Sequence, residues 1–335
     1  MGGLHPAPGE ETAGPMRRLS PYVTLIGIAL FFLIVSRVDL MSSGAILKGA
    51  SPAWVALAFL FLIPEVLLKS WRIHRLVRET GRTLSLKDSI QVYLSGQPLA
   101  SVTPAKLGDV ARVLLLSQKS GLSTAPALAV HVADKILDLA ALGLLASVGL
   151  ITLIAESRQT GPAASALAGI LVGVSLVAAF LNRGWVRRFV KPVVLALAPD
   201  KVANSLHTHG REFYQHFEAF FLPLRRMNGP MILSLLAWEV AILRAWLCAQ
   251  ALGLPMTFAQ LQWLLPVIIM VEFLPISVMG FGTREAALFV FFAGIVGQEG
   301  LISFSLLTVL VGPLTTALIG IPAAATIHPR PTRHS

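Results

Sequence analysis

Two short stretches gather residue types suited to binding an anion. The first reads Thr103-Pro104-Ala105-Lys106-Leu107-Gly108-Asp109-Val110-Ala111-Arg112, and the second Pro275-Ile276-Ser277-Val278-Met279-Gly280-Phe281-Gly282-Thr283-Arg284-Glu285. Thr103 before Pro104 is a strong helix start, with Thr as N-cap and Pro at the first helical position. In the second stretch Gly280, Gly282 and Thr283 form a turn that feeds another capped helix, with Glu285 in its first turn. Helix N-termini offer free N–H groups and partial positive charge, which suit an anionic headgroup. Lys106, Arg112 and Arg284 add full charges, and Asp109 and Glu285 are placed to orient or neutralise them. Asp109 and Arg112 are also spaced to pair with each other on one helix face.

These stretches interrupt apolar sequence. The chain is 55% hydrophobic and 13% charged, with a mean hydropathy of +0.74, whereas soluble domains carry about 25% charged residues. Long apolar runs recur to the C-terminal tail, which predicts an all-α polytopic membrane protein rather than a barrel of short alternating strands. Backbone broken by Pro104, Gly108, Pro275, Gly280 and Gly282 survives at membrane depth only inside protein or beside a wet cavity. The net charge of +10 comes from 27 Lys+Arg against 17 Asp+Glu. With the basic residues in loops, it reads as positive-inside topology and anionic lipid rather than nucleic acid. The single cysteine, Cys248, excludes an intramolecular disulfide and reads as a small packing residue.

The elements that position the motifs follow from hydropathy and loop charge. Residues 1–19 read as a disordered cytoplasmic N-terminus, 20–327 as one membrane domain, and 328–335 as a cytoplasmic tail. Spans are expected at 21–38, 52–68, 125–154, 163–181, 230–252 and 302–326. The loop with Lys69, Arg72, Arg75, Arg78, Arg82 and Lys87 is read as cytoplasmic. Residues 185–228 form the most soluble-looking segment, with an amphipathic helix at 203–222 carrying Phe213, Phe217, Phe220 and Phe221. His207, His209 and His216 there read as a polar face, not a metal site.

Each broken motif has arms too short to cross, so six full spans with two re-entrant hairpins is one count; eight spans is the alternative. The six-span version divides into two halves of opposite orientation, an inverted repeat of the kind transporters use. Ser101-Val102 and Asp109-Val110-Ala111 match Ser277-Val278 and Glu285-Ala286-Ala287 at one offset, and the Thr103 and Thr283 caps align at another. On the third span His131, Asp134, Lys135 and Asp138 share a helix face that is expected to line the same cavity. Glu65, Glu239 (near Arg244) and Glu272 are lone acids in apolar runs. Each could carry a coupling proton or equally serve as structural partner to a nearby Arg or Lys, and Glu272 alone is kept as a candidate proton carrier.

At these motifs the chain resembles the flippase-like family defined by the transmembrane region of lysylphosphatidylglycerol synthases. Pro104-Ala105-Lys106-Leu107-Gly108-Asp109-Val110-Ala111-Arg112 is similar to that family's early Pro-Gly-(Arg/Lys)-x-Gly-(Glu/Asp)-x-x-Arg motif, with Ala105 for a usual glycine and Lys106 for an arginine. The run Pro275 to Glu285 matches its late motif throughout, and Asp134-Lys135 followed by Asp138 fits its acidic-basic pair. The resemblance covers the membrane region without the synthases' soluble aminoacyl-transferase domain. It implies lipid translocation without aminoacylation, in a bacterial inner membrane, with no cofactor.

The expected ligands of the lipid are Thr103, Lys106, Asp109, Arg112, Asp134, Lys135, Asp138, Thr283, Arg284 and Glu285. Partners are anionic membrane lipids, and a cell-envelope lipid synthase is a further candidate. Two other readings stay open. One is a membrane-embedded lipid transferase with Asp109, His131 or Glu285 as general base. The other is an accessory subunit docking a synthase through 203–222. No nucleotide fingerprint, Walker loop, metalloprotease helix or nucleophile elbow is present in the sequence.

Overall fold

The computed structural model describes residues 40–102, 109–156, 217, 224–272 and 282–327, and every element among them is helical. In chain order they are α1 (Leu40–Lys48), α2 (Pro52–Glu79), α3 (Leu86–Ser95), α4 (Gln97–Val102), α5 (Asp109–Ser120), α6 (Thr124–Glu156), α7 (Leu224–Ala251), α8 (Phe258–Glu272), α9 (Thr283–Phe292), α10 (Gln298–Val309), a π-helical segment (Leu310–Leu314) and α11 (Thr315–Ala325). The expected spans at 21–38 and 163–181, the termini, the three histidines and the 203–222 helix apart from Phe217 lie outside the described residues.

Among the described residues three stretches are long and apolar enough to cross a bilayer: Pro52–Glu79, Arg226–Ala251 and Gln298–Ala325. At about 1.5 Å per residue a helix of this length exceeds the ~30 Å hydrocarbon core. The 33-residue α6 covers the expected third span. By contrast α8 has 15 residues and α9 has 10, so neither crosses alone. The first motif is flanked by the short helices α3 and α4 before it, and its last residues, from Asp109, open α5. Large apolar side chains face outward along α2 (Leu60, Ile63, Leu67) and α11 (Leu318, Ile319, Ile321). Water would not tolerate that wall, but lipid does.

α2 begins with Pro52 behind the extended N-cap Ser51, whose N–H bonds Ala251 O at 2.8 Å. At the other end of α2, Arg226 lies 3.7 Å from Glu79. These two contacts fix α2 and α7 as an antiparallel pair. The α2/α7 pair is flanked by matching contacts: α6 packs on α8, and α11 packs on α3 and α4. α5 joins α3 and α6 as α9 joins α8 and α10. Gly320 makes the α11 contact possible, because a Cβ there would strike the Leu94 carbonyl and Pro98. Pro313 lies inside the π segment, and Thr316 Oγ1 donates to the carbonyls of Gly312 (3.1 Å) and Pro313 (3.0 Å). Hydroxyls of this kind satisfy carbonyls where the regular ladder is interrupted in lipid.

The buried apolar residues form two clusters. On α2, Ala58 belongs to one, and Ile73, Leu76 and Val77 to the other. On α6, Ala127 to Leu137 side with the second group, and Ala141, Leu142 and Leu145 with the first. At the crossover between them lie Glu65, Lys69, Arg72, Asp134 and Asp138, all buried. A charged layer thus divides the core. Phe217 is buried in the same cluster as Leu76, and Cys248 is fully buried in the other, as a packing residue.

One sequence expectation is corrected here. Lys69 and Arg72 are not loop residues: α2 continues to Glu79 and carries both into the interior. Apolar periodicity ends near Leu68, but the helix continues because Glu65 on α2 itself receives Lys69 and two acids on α6 receive Arg72.

Candidate functional site

Glu65, Lys69 and Arg72 recur at helical spacing on one face of α2. Arg72 is 1% exposed. Its Nε donates to Asp134 Oδ1 (2.6 Å), and its Nη1 donates to Asp138 Oδ1 (2.6 Å) and Ser234 Oγ (2.7 Å). Nη2 reaches Asp138 Oδ2 at 3.1 Å. Trp238 Nε1 donates to the same Asp138 Oδ1 at 2.8 Å. Arg72 therefore ties α2 to α6 and α7, and its guanidinium is committed to protein.

One turn away, Lys69 Nζ donates to Glu65 Oε1 at 2.7 Å and sits 4.4 Å from the centre of the Trp238 ring. The second Glu65 oxygen accepts from Arg244 Nε at 2.9 Å. Trp238 thus links two charge groups, its N–H holding the Arg72 group and its face the Lys69 group.

The broken motifs supply the opposite wall. From α5, Arg112 Nη2 donates to Tyr93 O (3.1 Å), and its guanidinium carbon lies 5.1 Å from the Tyr93 ring centre. Its Nη1 is 3.8 Å from Asp134 Oδ2, an ion pair beyond hydrogen-bond range. From α9, Arg284 grips Glu272 with both arms of its fork, Nε to Oε1 at 2.6 Å and Nη2 to Oε2 at 2.8 Å. Glu285 faces elsewhere: Oε2 accepts from Gly282 N at 2.6 Å, and Oε1 accepts from the Ser305 hydroxyl. Gly282 has φ +88°, and it, rather than Thr283, is the N-cap, with Thr283 buried as the first helical residue. The expected Thr283 cap shifts by one residue because only glycine takes that backbone conformation without strain.

These groups surround a cavity of about 240 Å³. Of the expected ligands it is lined by Arg112, Asp134, Lys135, Asp138 and Arg284, and Glu272 also reaches it. Thr283 and Glu285 are not among its walls. Thr103, Pro104, Lys106, Gly108, Pro275, Gly280 and the Asp109 side chain lie outside the described residues. Of the shared α6 face, Asp134, Lys135 and Asp138 line the cavity, whereas His131 does not. Sequence reasoning missed Glu65, Lys69, Arg72, Arg244 and Trp238. The available signal was the acids on α6: two carboxylates in an apolar helix require cations, and Lys69 and Arg72 stand one helical turn apart. Arg244 binds Glu65 rather than the nearby Glu239, which accepts from Gln262 at 2.6 Å.

Along the cavity wall five cationic side chains (Lys69, Arg112, Lys135, Arg244, Arg284) stand against four carboxylates (Glu65, Asp134, Asp138, Glu272). Such a charged interior, enclosed by helices with lipid-facing apolar flanks, defines a helical membrane protein with an internal polar site. The chain belongs to the family described as "Lysylphosphatidylglycerol synthase TM region", which matches residues 22–320. It is also similar to a UPF0104 membrane protein of Pyrococcus horikoshii, 23% identical over 320 residues and spanning 88% of this chain and 93% of the relative.

Proposed function

We propose that the protein translocates a phosphate-bearing lipid between leaflets, with the cavity as the headgroup site. The observation that carries this reading is the delivery of Arg112 and Arg284, one from each broken motif, to the walls of one internal cavity. Arg presents a planar fork matched to phosphate. About 240 Å³ is below the usual ~300–1,000 Å³ of small-molecule pockets. It suits a headgroup, with the acyl or prenyl chains left in the bilayer. Lys69, Arg112, Arg244 and Arg284 each already face a carboxylate, so an entering phosphate competes with protein acids, Glu272 for Arg284 above all. The family's description, which refers to a synthase of lysylphosphatidylglycerol, supports a lipid role.

The paired contacts support the inverted-repeat reading. Exchanging α2 with α7, α3–α4 with α8, α5 with α9, and α6 with α10–α11 maps the packing onto itself apart from the contact of α1 with α10. In this reading there are six spans and two re-entrant hairpins, and the basic end of α2 and both termini face the cytoplasm of a bacterial inner membrane. The protein acts as a transporter rather than a lipid-modifying enzyme, so lipid incubated with it should keep its mass. The direct test is translocation of fluorescent phosphatidylglycerol in reconstituted vesicles. Arg284→Ala should abolish flipping while the purified protein remains monodisperse. Unchanged rates in that variant would sink the reading.

A further inference from the structure

The cavity contains a cation whose hydrogen-bonding capacity is mostly unspent. Arg244 is 8% exposed and lines the cavity from α7. Its Nε is used by Glu65, but Nη1 and Nη2 bond none of the described residues. This differs from Arg72, which spends four of its five donors on Asp134, Asp138 and Ser234, and from Arg284, which spends both arms on Glu272. These two nitrogens face the cavity, where a planar fork of charged donors suits a phosphoryl group. The wall is also shaped around this group. A Cβ on Gly312 would lie 2.6 Å from Arg244 Nη1, so the guanidinium occupies space that any larger residue would remove. Lys69 stands across the shared Glu65 carboxylate, oriented by the Trp238 ring.

We propose that Arg244 and Lys69 form a second phosphoryl subsite, on the α2/α7 pair and separate from the arginines of the broken motifs. The Glu65 carboxylate is its internal counter-anion: it holds the two cations together in the empty protein and competes with the phosphoryl oxygens when a ligand enters. Arg244 supplies the fork and Lys69 the point charge. The subsite deepens the proposed headgroup reading and rests on it only for the source of the phosphate.

The test uses the full chain in phosphate-free detergent, with dihexanoyl phosphatidylglycerol and inorganic phosphate as probes, read by titration calorimetry. Arg244→Lys keeps the Glu65 ion pair but removes the fork, and should weaken lipid-probe binding about tenfold or more. Gly312→Ala, which alters no charge, should weaken it too by displacing Nη1. Glu65→Gln removes the competing carboxylate and should tighten binding, an effect opposite in sign to that of a merely structural acid. Arg244→Lys with wild-type affinity overturns the proposal. If that variant does not fold, a folded Gly312→Ala with unchanged affinity overturns it, as does weaker or unchanged binding in Glu65→Gln. Competition by inorganic phosphate supports a subsite filled from water, and its absence one filled by the lipid alone. Loss of probe binding in Arg244→Lys, in a protein that flips no lipid, keeps the subsite and rejects translocation. Flipping that needs Arg284, with probe binding indifferent to Arg244, does the reverse.

Discussion

Replacing Arg72 by methionine tests whether the charged layer holds the helices together. The side chain is 1% exposed and makes four hydrogen bonds, three of them to the carboxylates of Asp134 and Asp138. Methionine fills a similar volume but leaves two acids facing each other in a buried layer. Breaking a buried pair on one side costs about 3–5 kcal/mol, because the remaining charge keeps its desolvation penalty. Asp134 keeps Arg112 at 3.8 Å and Asp138 keeps the Trp238 N–H, which places the expectation at the lower end of that range. Arg226→Met is the internal control: its partner Glu79 is 3.7 Å away, Arg226 is exposed and Glu79 partly so, and the loss should be about 0–1 kcal/mol. Combining Arg72→Met with Asp134→Asn and Asp138→Asn removes the unpaired charge and should restore most of the lost stability. Unfolding by SDS titration in mixed micelles, followed by tryptophan fluorescence, reads all of these. An Arg72→Met protein within about 1 kcal/mol of wild type would refute the reasoning, since that is well below the usual cost of removing one partner of a buried pair.

Gly320→Ala should destabilise by about 1–3 kcal/mol through overpacking against the Leu94 carbonyl and Pro98. Gly143→Ala meets nothing within 4 Å in α6 and should instead stabilise by about 0.5–1 kcal/mol; paired melting curves compare the two. Glu285→Ala should lower the melting temperature, because it removes the acceptor of Gly282 N–H and of Ser305, at a cost of about 1–3 kcal/mol. A variant that keeps wild-type stability but loses lipid binding would make Glu285 a ligand instead of a cap. Asp88, at the exposed start of α3, is held below the usual carboxylate range by the Ser85 hydroxyl and then by Lys119 at 2.9 Å. Its folded value is depressed, so its small contribution is present above the ordinary carboxylate range and is lost as pH falls through the folded value. Asp88→Asn should flatten that acid limb of the stability profile.

Membrane residence and helical class were legible from the sequence because both rest on local properties. Hydropathy is a sum over about twenty neighbours, and a Pro or Gly break acts on its own turn. The family motif likewise marked Arg112 and Arg284, and both reach the cavity. The roles of the charges were not legible, because a charge in an apolar run is defined by its partner. Arg72 reads as the start of a basic loop until α6 brings Asp134 and Asp138 to it across more than sixty residues. Glu65 reads as a lone acid until α7 brings Arg244. Glu285 reads as a ligand until the left-handed Gly282 turns its carboxylate back onto the backbone. Sequence alone determined that the chain must hide broken backbone and ionised side chains from lipid. Tertiary structure decided which charges cancel each other and which, like the outer nitrogens of Arg244, are left facing the cavity. The physical reason is that in a low-dielectric interior the energy of a charge depends on distances of a few ångströms, which only the packing of distant helices sets.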